Sequence, residues 1–205
     1  MRLAALVLAA GSSRRAGAVN KLLAHDRTGQ CMIVRTVAAA LQSRAGSVIA
    51  VLGHDADPVG AALAGTLHAH PNRLHLVQAH DHDEGLAASL RCGVALAAAQ
   101  QADGVLVCLG DMPLVRPETL DLLMDGLKCN AAILACLPVM NGVRGNPVLW
   151  RAPLFDALLA LFGDRGGRSL LDRHAAHVQA IPVTDPGVLE DFDTPERLAA
   201  YLASS

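Results

Sequence analysis

The segment Leu6–Ala24 reads LVLAAGSSRRAGAVNKLLA, an apolar run that changes abruptly into glycine, serine, arginine and lysine. The overlapping stretch Leu3–Ala9 is apolar at every position, which is typical of a parallel strand buried on both faces. Ligands of open α/β sheets bind outside the carboxyl ends of the strands. We therefore predict a first strand over Leu3–Ala9 and a ligand-binding loop over Ala10–Lys21.

The rest of the chain alternates between strand and helix patterns, which predicts the α/β class with a mostly parallel sheet flanked by helices. No repeat, low-complexity linker or boundary interrupts the 205 residues, so we expect one domain over 1–205. Further strands are predicted over Ser47–Leu52, Leu74–Val77, Gly104–Leu109, Ala131–Leu137, Val178–Val183 and Val188–Leu189. Helices are predicted over Met32–Arg44, Val59–Leu63, Gly85–Ala99, Pro117–Leu127, Pro153–Leu161, Arg168–His174 and Thr194–Leu202. A hairpin is predicted over 138–150, with Asn141-Gly142 at its turn.

The composition excludes several classes of protein. The formal net charge is −2, so the sequence indicates no basic surface for nucleic acid. The five cysteines are odd in number and form no CxxC pair, which argues against a disulfide framework or a cysteine-rich zinc site. No apolar run approaches the ~20 residues that span a bilayer, and a buried strand explains the N-terminal run better than a secretory signal does. We expect a cytoplasmic protein with no nucleic-acid and no membrane partner.

The spacing of the loop after the first strand excludes two common phosphate loops. A dinucleotide fingerprint requires GxGxxG, whereas no glycine lies between Gly11 and Gly17, and Lys21 stands too far along for a Walker loop. The loop nevertheless combines glycines, hydroxyl groups and cations, namely Gly11, Gly17, Ser12, Ser13, Arg14, Arg15 and Lys21. Such a set suits a polyphosphate, and a solvated basic turn is the alternative.

Acidic residues stand at two positions of interest. Asp111 directly follows the predicted strand Gly104–Leu109, where its carboxylate would project over the edge of the sheet and suit Mg²⁺. An ordinary turn aspartate is the alternative there, since Pro113 follows. Asp191 and Asp193 precede the last predicted helix, where the helix dipole alone also favours carboxylates.

Six motifs in one order give the sequence a family resemblance. They are LAAGxSxRxGxxNKLL (Leu8–Leu23), EGLAASLRCG (Glu84–Gly93), CLGDMPLV (Cys108–Val115), RGNPVLW (Arg144–Trp150), GDRGGRSLL (Gly163–Leu171) and DFDTPERL (Asp191–Leu198). The chain resembles the MobA-like nucleotidyltransferases, and among them the molybdenum cofactor cytidylyltransferases most. The resemblance implies a single Rossmann-like α/β domain of the nucleotide-diphospho-sugar transferase type.

The resemblance also implies an activity and the residues that perform it. CMP would pass from CTP to the terminal phosphate of molybdenum cofactor (molybdopterin) with release of pyrophosphate, and Mg²⁺ would be the cofactor. The implied nucleotide-binding residues are Leu8, Ala9, Ala10, Gly11, Ser13, Lys21, Ser89 and Asp111. The implied catalytic residues are Lys21 and Arg15, and the implied metal ligands are Asp111 with Asp191 or Asp193. The implied acceptor-binding residues are Asn146, Arg165 and Arg168.

The preference for CTP rests on one position. Members of the family that use guanine nucleotides tend to have LAGG, whereas this chain has Ala10 in place of the first of those two glycines. A transient contact with a molybdoenzyme that receives the product is a further expectation. Two other classes stay open from the sequence: a pyridine-nucleotide oxidoreductase on the same scaffold, and a molybdenum cofactor chaperone without catalysis.

Overall fold

A computed structural model describes residues 1–11, 20–163 and 167–203. The described strands are β1 (Leu3–Ala9), β2 (Ser47–Leu52), β3 (Leu74–Gln78), β4 (Gly104–Leu109), β5 (Ala135–Met140), β6 (Val143–Arg144), β7 (Val148–Arg151) and β8 (Val178–Pro182). The described α-helices are α1 (Met32–Gln42), α2 (Ala56–Ala69), α3 (Leu86–Ala99), α4 (Pro117–Cys129), α5 (Phe155–Leu159), α6 (Arg168–Arg173) and α7 (Pro195–Leu202).

All eight described strands belong to one sheet, with β3, β2, β1, β4, β7 and β5 as successive neighbours. The first four of these strands are parallel, β7 is antiparallel to both of its neighbours, and β8 pairs in parallel with β5. The short β6 forms the predicted hairpin with the end of β5, where Met140 pairs with Val143. The prediction of an α/β fold with a mostly parallel sheet is therefore confirmed.

The sheet is buried on both faces because helices cover each of them. In β1 the residues Leu3, Ala5, Val7 and Ala9 join the core beneath α1, α2 and α4. The intervening residues Ala4, Leu6 and Leu8 join a second core beneath α3, α5 and α6. Successive side chains of a strand point to opposite faces, so a strand between two helical layers must be apolar throughout.

Besides shifts of one or two residues at the ends of other elements, three predictions differ from the structure. The predicted strand Val188–Leu189 is wrong: the residues end a 3₁₀ turn, Pro186–Leu189, in which Asp185 accepts the amide of Gly187 at 3.0 Å. The strand predicted from Ala131 begins only at Ala135, after a turn. The helix predicted over Val59–Leu63 extends to Ala56–Ala69, well beyond the two residues that it buries, Val59 and Leu63.

Asp185 also joins this turn to the start of α4. Its Oδ2 accepts the amide of Arg116 at 2.9 Å and the hydroxyl of Thr119 at 2.7 Å. The amide of Arg116 directly precedes α4, and the hydroxyl of Thr119 belongs to the first turn of that helix. The carboxylate therefore caps a helix that lies 69 residues earlier in the chain. No helix in the described part of the chain combines the length and the apolar character that crossing a membrane requires.

Candidate active site

The candidate site forms where β1, β2 and β4 end side by side. Leu109 closes β4 opposite Leu8 of β1, and the chain then turns sharply at Gly110. The amide of Gly110 donates to the carbonyl oxygen of Leu8 at 2.9 Å, and a Cβ at Gly110 would lie 2.8 Å from that oxygen. Thr36 donates its hydroxyl to the carbonyl of Gly110 at 3.0 Å. The close approach requires glycine and fixes Asp111 at the edge of the sheet.

Lys21 begins a short 3₁₀ turn, Lys21–Leu23, just after the loop that follows β1. Asn20 caps this turn, because its Oδ1 accepts the amide of Leu22 at 3.0 Å. The Nδ2 group of Asn20 donates to Oδ2 of Asp55, at 3.2 Å, in the segment that follows β2. Leu22 is buried in the core beneath α1. The backbone of Lys21 is thus held from both sides.

Three charged side chains meet at this edge of the sheet. The Nζ atom of Lys21 lies 2.6 Å from Oδ2 of Asp111 and also forms an ion pair with Oδ1 of Asp193. The exposed fractions of these side chains are 11% for Lys21, 16% for Asp111 and 38% for Asp193. The amide of Phe192 donates to the carbonyl oxygen of Asp111 at 3.2 Å, which fastens the segment before α7 against the turn after β4.

The pKa values of the cluster are shifted by burial and by the neighbouring charges. Burial disfavours the charged form of Lys21, but the carboxylates of Asp111 and Asp193 outweigh it and hold the pKa of Lys21 above its ordinary value. Burial raises the pKa of Asp111; Lys21 acts in the opposite direction, and the nearby Asp193 carboxylate adds to the increase. The site therefore holds a charged ammonium between two carboxylates that repel each other.

The two aspartates considered for a second metal ligand have different partners. Asp193 contacts Lys21 in the cluster, whereas Oδ1 of Asp191 accepts from Nη1 of Arg197 at 3.1 Å, near the start of α7. Although Asp191 is only two residues from Asp193 in the sequence, its carboxylate forms an exposed ion pair with Arg197 and not with Lys21. The structure brings Asp193, and not Asp191, to Asp111.

The donor set of the cluster fits a hard divalent cation. Asp111 and Asp193 present carboxylate oxygens towards one point, now occupied by the ammonium of Lys21. Mg²⁺ is commonly held by one or two carboxylates together with water and substrate phosphate oxygens. Within residues 1–11, 20–163 and 167–203, no group of three or more acidic, histidine or cysteine side chains is arranged to hold a metal ion. A cation here would therefore take its remaining ligands from water or from a bound substrate.

The loop between the Lys21 turn and α1 is held by a buried carboxylate. Oδ1 of Asp26 accepts from the amide and hydroxyl of Thr28, at 2.9 and 2.6 Å, and from the amide of Gln30 at 3.0 Å. Oδ2 of Asp26 forms an ion pair with Arg35 at 2.6 Å. These hydrogen bonds, that from the Thr28 hydroxyl first, lower the pKa of Asp26 to about 2.

Comparison with known proteins identifies the family. Residues 5–178 match the MobA-like NTP transferase domain. The chain belongs to the MobA-like NTP transferase family. A relative in Bacillus subtilis, the purine catabolism protein PucB, is 32% identical over 197 residues, with 92% of this chain and 90% of PucB covered. The bifunctional protein GlmU of Sorangium cellulosum is 29% identical over 186 residues, and the match covers 91% of this chain but only 38% of GlmU.

Among solved structures, the MobA-like chain is similar to Rv0371c from Mycobacterium tuberculosis H37Rv. That structure has a TM-score of 0.80 and 30% identity, with 100% of both chains covered. A second structure of Rv0371c, in complex with manganese, has a TM-score of 0.74, 26% identity and 98% coverage of both chains. The similarity thus extends over the whole sheet and its helices.

The residues predicted for this MobA-like site have distinct positions in the structure. Leu8, Ala9 and Ala10 are buried at the end of β1, and Gly11 is exposed immediately after them. Ser89 lies on α3 and is 4% exposed. Asn146 is half-buried, with its amide bonded to Val188, and Arg168 is exposed at the start of α6. Ser13, Arg15 and Arg165 lie outside the described residues, and their roles stay predictions.

Sequence reasoning missed three residues that support the MobA-like site. Asn20 and Asp55 connect the Lys21 turn to the end of β2, and Thr36 holds the carbonyl of Gly110. Asn20 stands inside the first motif, directly before Lys21, so its capping role had a local signal. Asp55 and Thr36 contact the site from other elements of the fold, and no local sequence signal indicated their roles.

Proposed function

We propose that the protein transfers CMP from CTP to the terminal phosphate of molybdenum cofactor and releases pyrophosphate. The observation that carries the proposal is the buried ammonium of Lys21 between Asp111 and Asp193, at the carboxyl end of the strand that leads into the loop. This arrangement supplies a fixed positive charge and two hard oxygen ligands at one point. Membership of an NTP transferase family supports the same reaction class.

The reaction needs no nucleophile from the protein. An oxygen of the acceptor phosphate attacks the α-phosphorus of CTP, the bond from that phosphorus to the bridging oxygen breaks, and pyrophosphate leaves with the bond electrons. Catalysis then depends on positioning and on neutralising charge. Lys21 would transfer its hydrogen bonds from the carboxylates to phosphate oxygens and stabilise the charge that builds up on pyrophosphate.

Asp111 and Asp193 would hold the divalent cation, proposed here as Mg²⁺. When bound, such a cation acts as a Lewis acid that neutralises charge on phosphate oxygens. The manganese in the Rv0371c structure supports a divalent site in this fold. Under the proposal, the two carboxylates keep the cation beside Lys21, so positive charge surrounds the triphosphate from two directions.

Ala10 supports CTP as the nucleotide. The Ala10 side chain packs against Gly53, where an added Cβ would lie only 2.5 Å from the Cβ of Ala10. The carbonyl of Ala10 also accepts the amide of His54 at 3.2 Å, so the ends of β1 and β2 are tightly joined. The preference for CTP therefore rests on the residue type itself, because Ala10 stands where members of the family that use guanine nucleotides tend to have glycine.

Pyrophosphate release tests the proposal directly. Purified protein is mixed with Mg²⁺, molybdenum cofactor and CTP, GTP or ATP in separate reactions. We expect release with CTP alone, and its loss with EDTA. Release with GTP alone would keep the reaction class and contradict the nucleotide assignment, whereas no release with any nucleotide would contradict the proposed reaction.

Lysine variants test the proposed role of the site. The chain has two lysines, and Lys128 is exposed near the end of α4. We expect Lys21→Ala to lower turnover with CTP by about 100-fold, the typical effect of losing one preorganised donor, while Lys128→Ala keeps wild-type turnover. Equal turnover of Lys21→Ala and wild type would contradict the proposed role of Lys21 and the function that rests on it.

A further inference from the structure

Phe162 differs from every other aromatic residue of the chain in its exposure to solvent. The sequence has three phenylalanines, one tryptophan and one tyrosine. The other four, Trp150, Phe155, Phe192 and Tyr201, are buried in the two cores, whereas Phe162 is 75% exposed. Single exposed apolar residues are common on proteins, so the exposure of Phe162 alone indicates no function. The contacts that fix the ring in place are the relevant evidence.

The ring of Phe162 is held on a fixed backbone with one face covered. The guanidinium carbon of Arg91, on α3, lies 5.3 Å from the ring centroid, which is a cation–π distance. The same guanidinium donates to the carbonyl oxygen of Leu161 at 2.9 Å. On the other side of Phe162, the carbonyl oxygen of Gly163 accepts the amide of Ala87 at 3.0 Å. Both peptide neighbours of the ring are thereby fastened to α3.

Arg91 is itself fixed by two carboxylates. Its Nη2 atom lies 2.7 Å from Oδ2 of Asp81 and 2.9 Å from Oε2 of Glu84. Both acidic residues belong to the loop between β3 and α3. An arginine with three partners has little freedom to leave the ring, so the aromatic face opposite the guanidinium is the open face. The arrangement is a rigid, flat apolar platform.

The platform lies at the edge of the sheet that carries the candidate active site. The loop that provides Asp81 and Glu84 also contains His82, and a Cβ at Gly53 would lie 2.7 Å from the Cβ of His82 and 2.5 Å from that of Ala10. The loop between β3 and α3 therefore approaches the ends of β1 and β2 at His82. The same loop holds Arg91, which covers the ring of Phe162, through Asp81 and Glu84. The amide of Ala87, which donates to Gly163, lies in the first turn of α3, so the ring stands at the same end of the sheet as the candidate site.

We infer that the exposed face of Phe162 stacks against the planar heteroaromatic ring of the acceptor substrate. This inference rests on the proposed function, which places the triphosphate at Lys21 and the nucleotide base beside Ala10. Aromatic stacking suits a planar heterocycle and tolerates variation in its substituents. Arg168, predicted to bind the acceptor phosphate, follows six positions later. A flat platform followed in the sequence by this arginine suits an acceptor that combines a pterin ring with a phosphate.

Three variants test the inference. Phe162→Ala removes the ring, Phe162→Tyr restores a flat face, and Leu122→Ala removes an exposed apolar side chain from α4, in the layer on the opposite face of the sheet. For each variant the KM for molybdopterin, the KM for CTP and kcat are measured by pyrophosphate release. Binding of molybdopterin is measured separately by titration calorimetry, without nucleotide turnover.

We expect Phe162→Ala to raise both the KM and the dissociation constant for molybdopterin about tenfold, in the range typical of one lost stacking contact. The KM for CTP stays within about twofold of wild type, because its proposed site is at Lys21 and Ala10. Phe162→Tyr restores wild-type values, and Leu122→Ala does not change them.

Other outcomes separate the inference from the proposed function. Wild-type turnover with CTP and molybdopterin, together with an unchanged molybdopterin KM in Phe162→Ala, would overturn the inference and leave the function intact. A raised KM for CTP alone would place the ring against the nucleotide base and overturn the inference as well. Wild-type protein that neither binds molybdopterin nor turns it over would overturn the function and the inference together.

Discussion

Asp191 and Asp193 provide a matched pair of substitutions, because the same change two residues apart affects two different ion pairs. Asp193→Asn removes a charge beside Lys21 and Asp111, whereas Asp191→Asn removes a charge beside Arg197. Asparagine keeps nearly the same shape in both cases. Any difference between the variants therefore reports the local role of the carboxylate.

The expected magnitudes follow from exposure and from the neighbouring charges. The Asp193 side chain is 38% exposed, so its ion pair with Lys21 contributes no more than about 1 kcal/mol to stability. Its removal also relieves the repulsion that raises the pKa of Asp111, which offsets part of the loss. The free energy of unfolding should therefore change by less than about 1 kcal/mol. Turnover should fall by about 100- to 1000-fold, since the proposed divalent cation, which would stabilise charge on the phosphates, loses one of its two carboxylate ligands.

The assay compares both variants with wild type under identical conditions. Pyrophosphate release from CTP with molybdenum cofactor is followed over a series of Mg²⁺ concentrations, and urea unfolding gives the stability of each protein. We expect Asp191→Asn to keep turnover within about twofold of wild type, because its exposed ion pair contributes little. A larger loss of turnover in Asp191→Asn than in Asp193→Asn would refute the assignment of Asp193 as the second carboxylate.

Three further substitutions test the surroundings of the site. Gly110→Ala places a Cβ 2.8 Å from the carbonyl oxygen of Leu8. We expect it to lower the free energy of unfolding in urea by about 1–3 kcal/mol and to lower turnover by displacing the turn. Wild-type stability and turnover in this variant would contradict the need for glycine in the turn. Asp185→Asn should lower the free energy of unfolding by about 1–3 kcal/mol, because an amide nitrogen then faces the donors at the start of α4. The control Asp172→Asn, at an exposed carboxylate, should change it by less than about 0.5 kcal/mol. Equal losses in the two variants would refute the capping role of Asp185. The pKa of Asp26 is lowered to about 2 from 3.8 by the hydrogen bonds it accepts from Thr28 and Gln30, so its ionised form stabilises the fold above pH 3.8 and this contribution is lost as the pH falls towards 2. Thermal unfolding is measured from pH 7 to pH 2 for wild type and Asp26→Asn. The difference between their melting temperatures should shrink as the pH falls from 3.8 towards 2. A difference that stays constant would contradict this role of the Asp26 carboxylate.

The sequence predicts those parts of the fold that local pattern determines. The boundaries of β1 agree with the structure because every residue of Leu3–Ala9 lies between two helical layers and must be apolar. The start of the helix predicted over Thr194–Leu202 also agrees, because Thr194 caps α7 and Pro195 begins it, and both are local signals. The strand prediction for Val188–Leu189 was wrong because a pair of apolar residues occurs in a strand and in a short turn alike.

The partner of each aspartate in the segment Asp191–Asp193 depends on contacts that no local pattern contains. Both residues are acidic and both precede α7, so the sequence leaves the choice between them open. In the structure the amide of Phe192 bonds to Asp111, and Phe192 packs against Tyr201 with ring centroids 5.1 Å apart. These contacts set the segment across the end of β4. Asp193 then reaches Lys21, 172 residues earlier in the chain.

The electrostatics of the cluster explain why one lysine is placed between two aspartates. Burial alone would favour a neutral Lys21, which could not bind phosphate strongly, but Asp111 and Asp193 keep the ammonium charged. The same carboxylates would repel a bare triphosphate. Under the proposed function, a nucleotide that arrives with a divalent cation would resolve this conflict, because the cation would satisfy the carboxylates while Lys21 became available to the phosphates. The proposed site would therefore favour the metal-bound nucleotide over the free one, on grounds of charge alone.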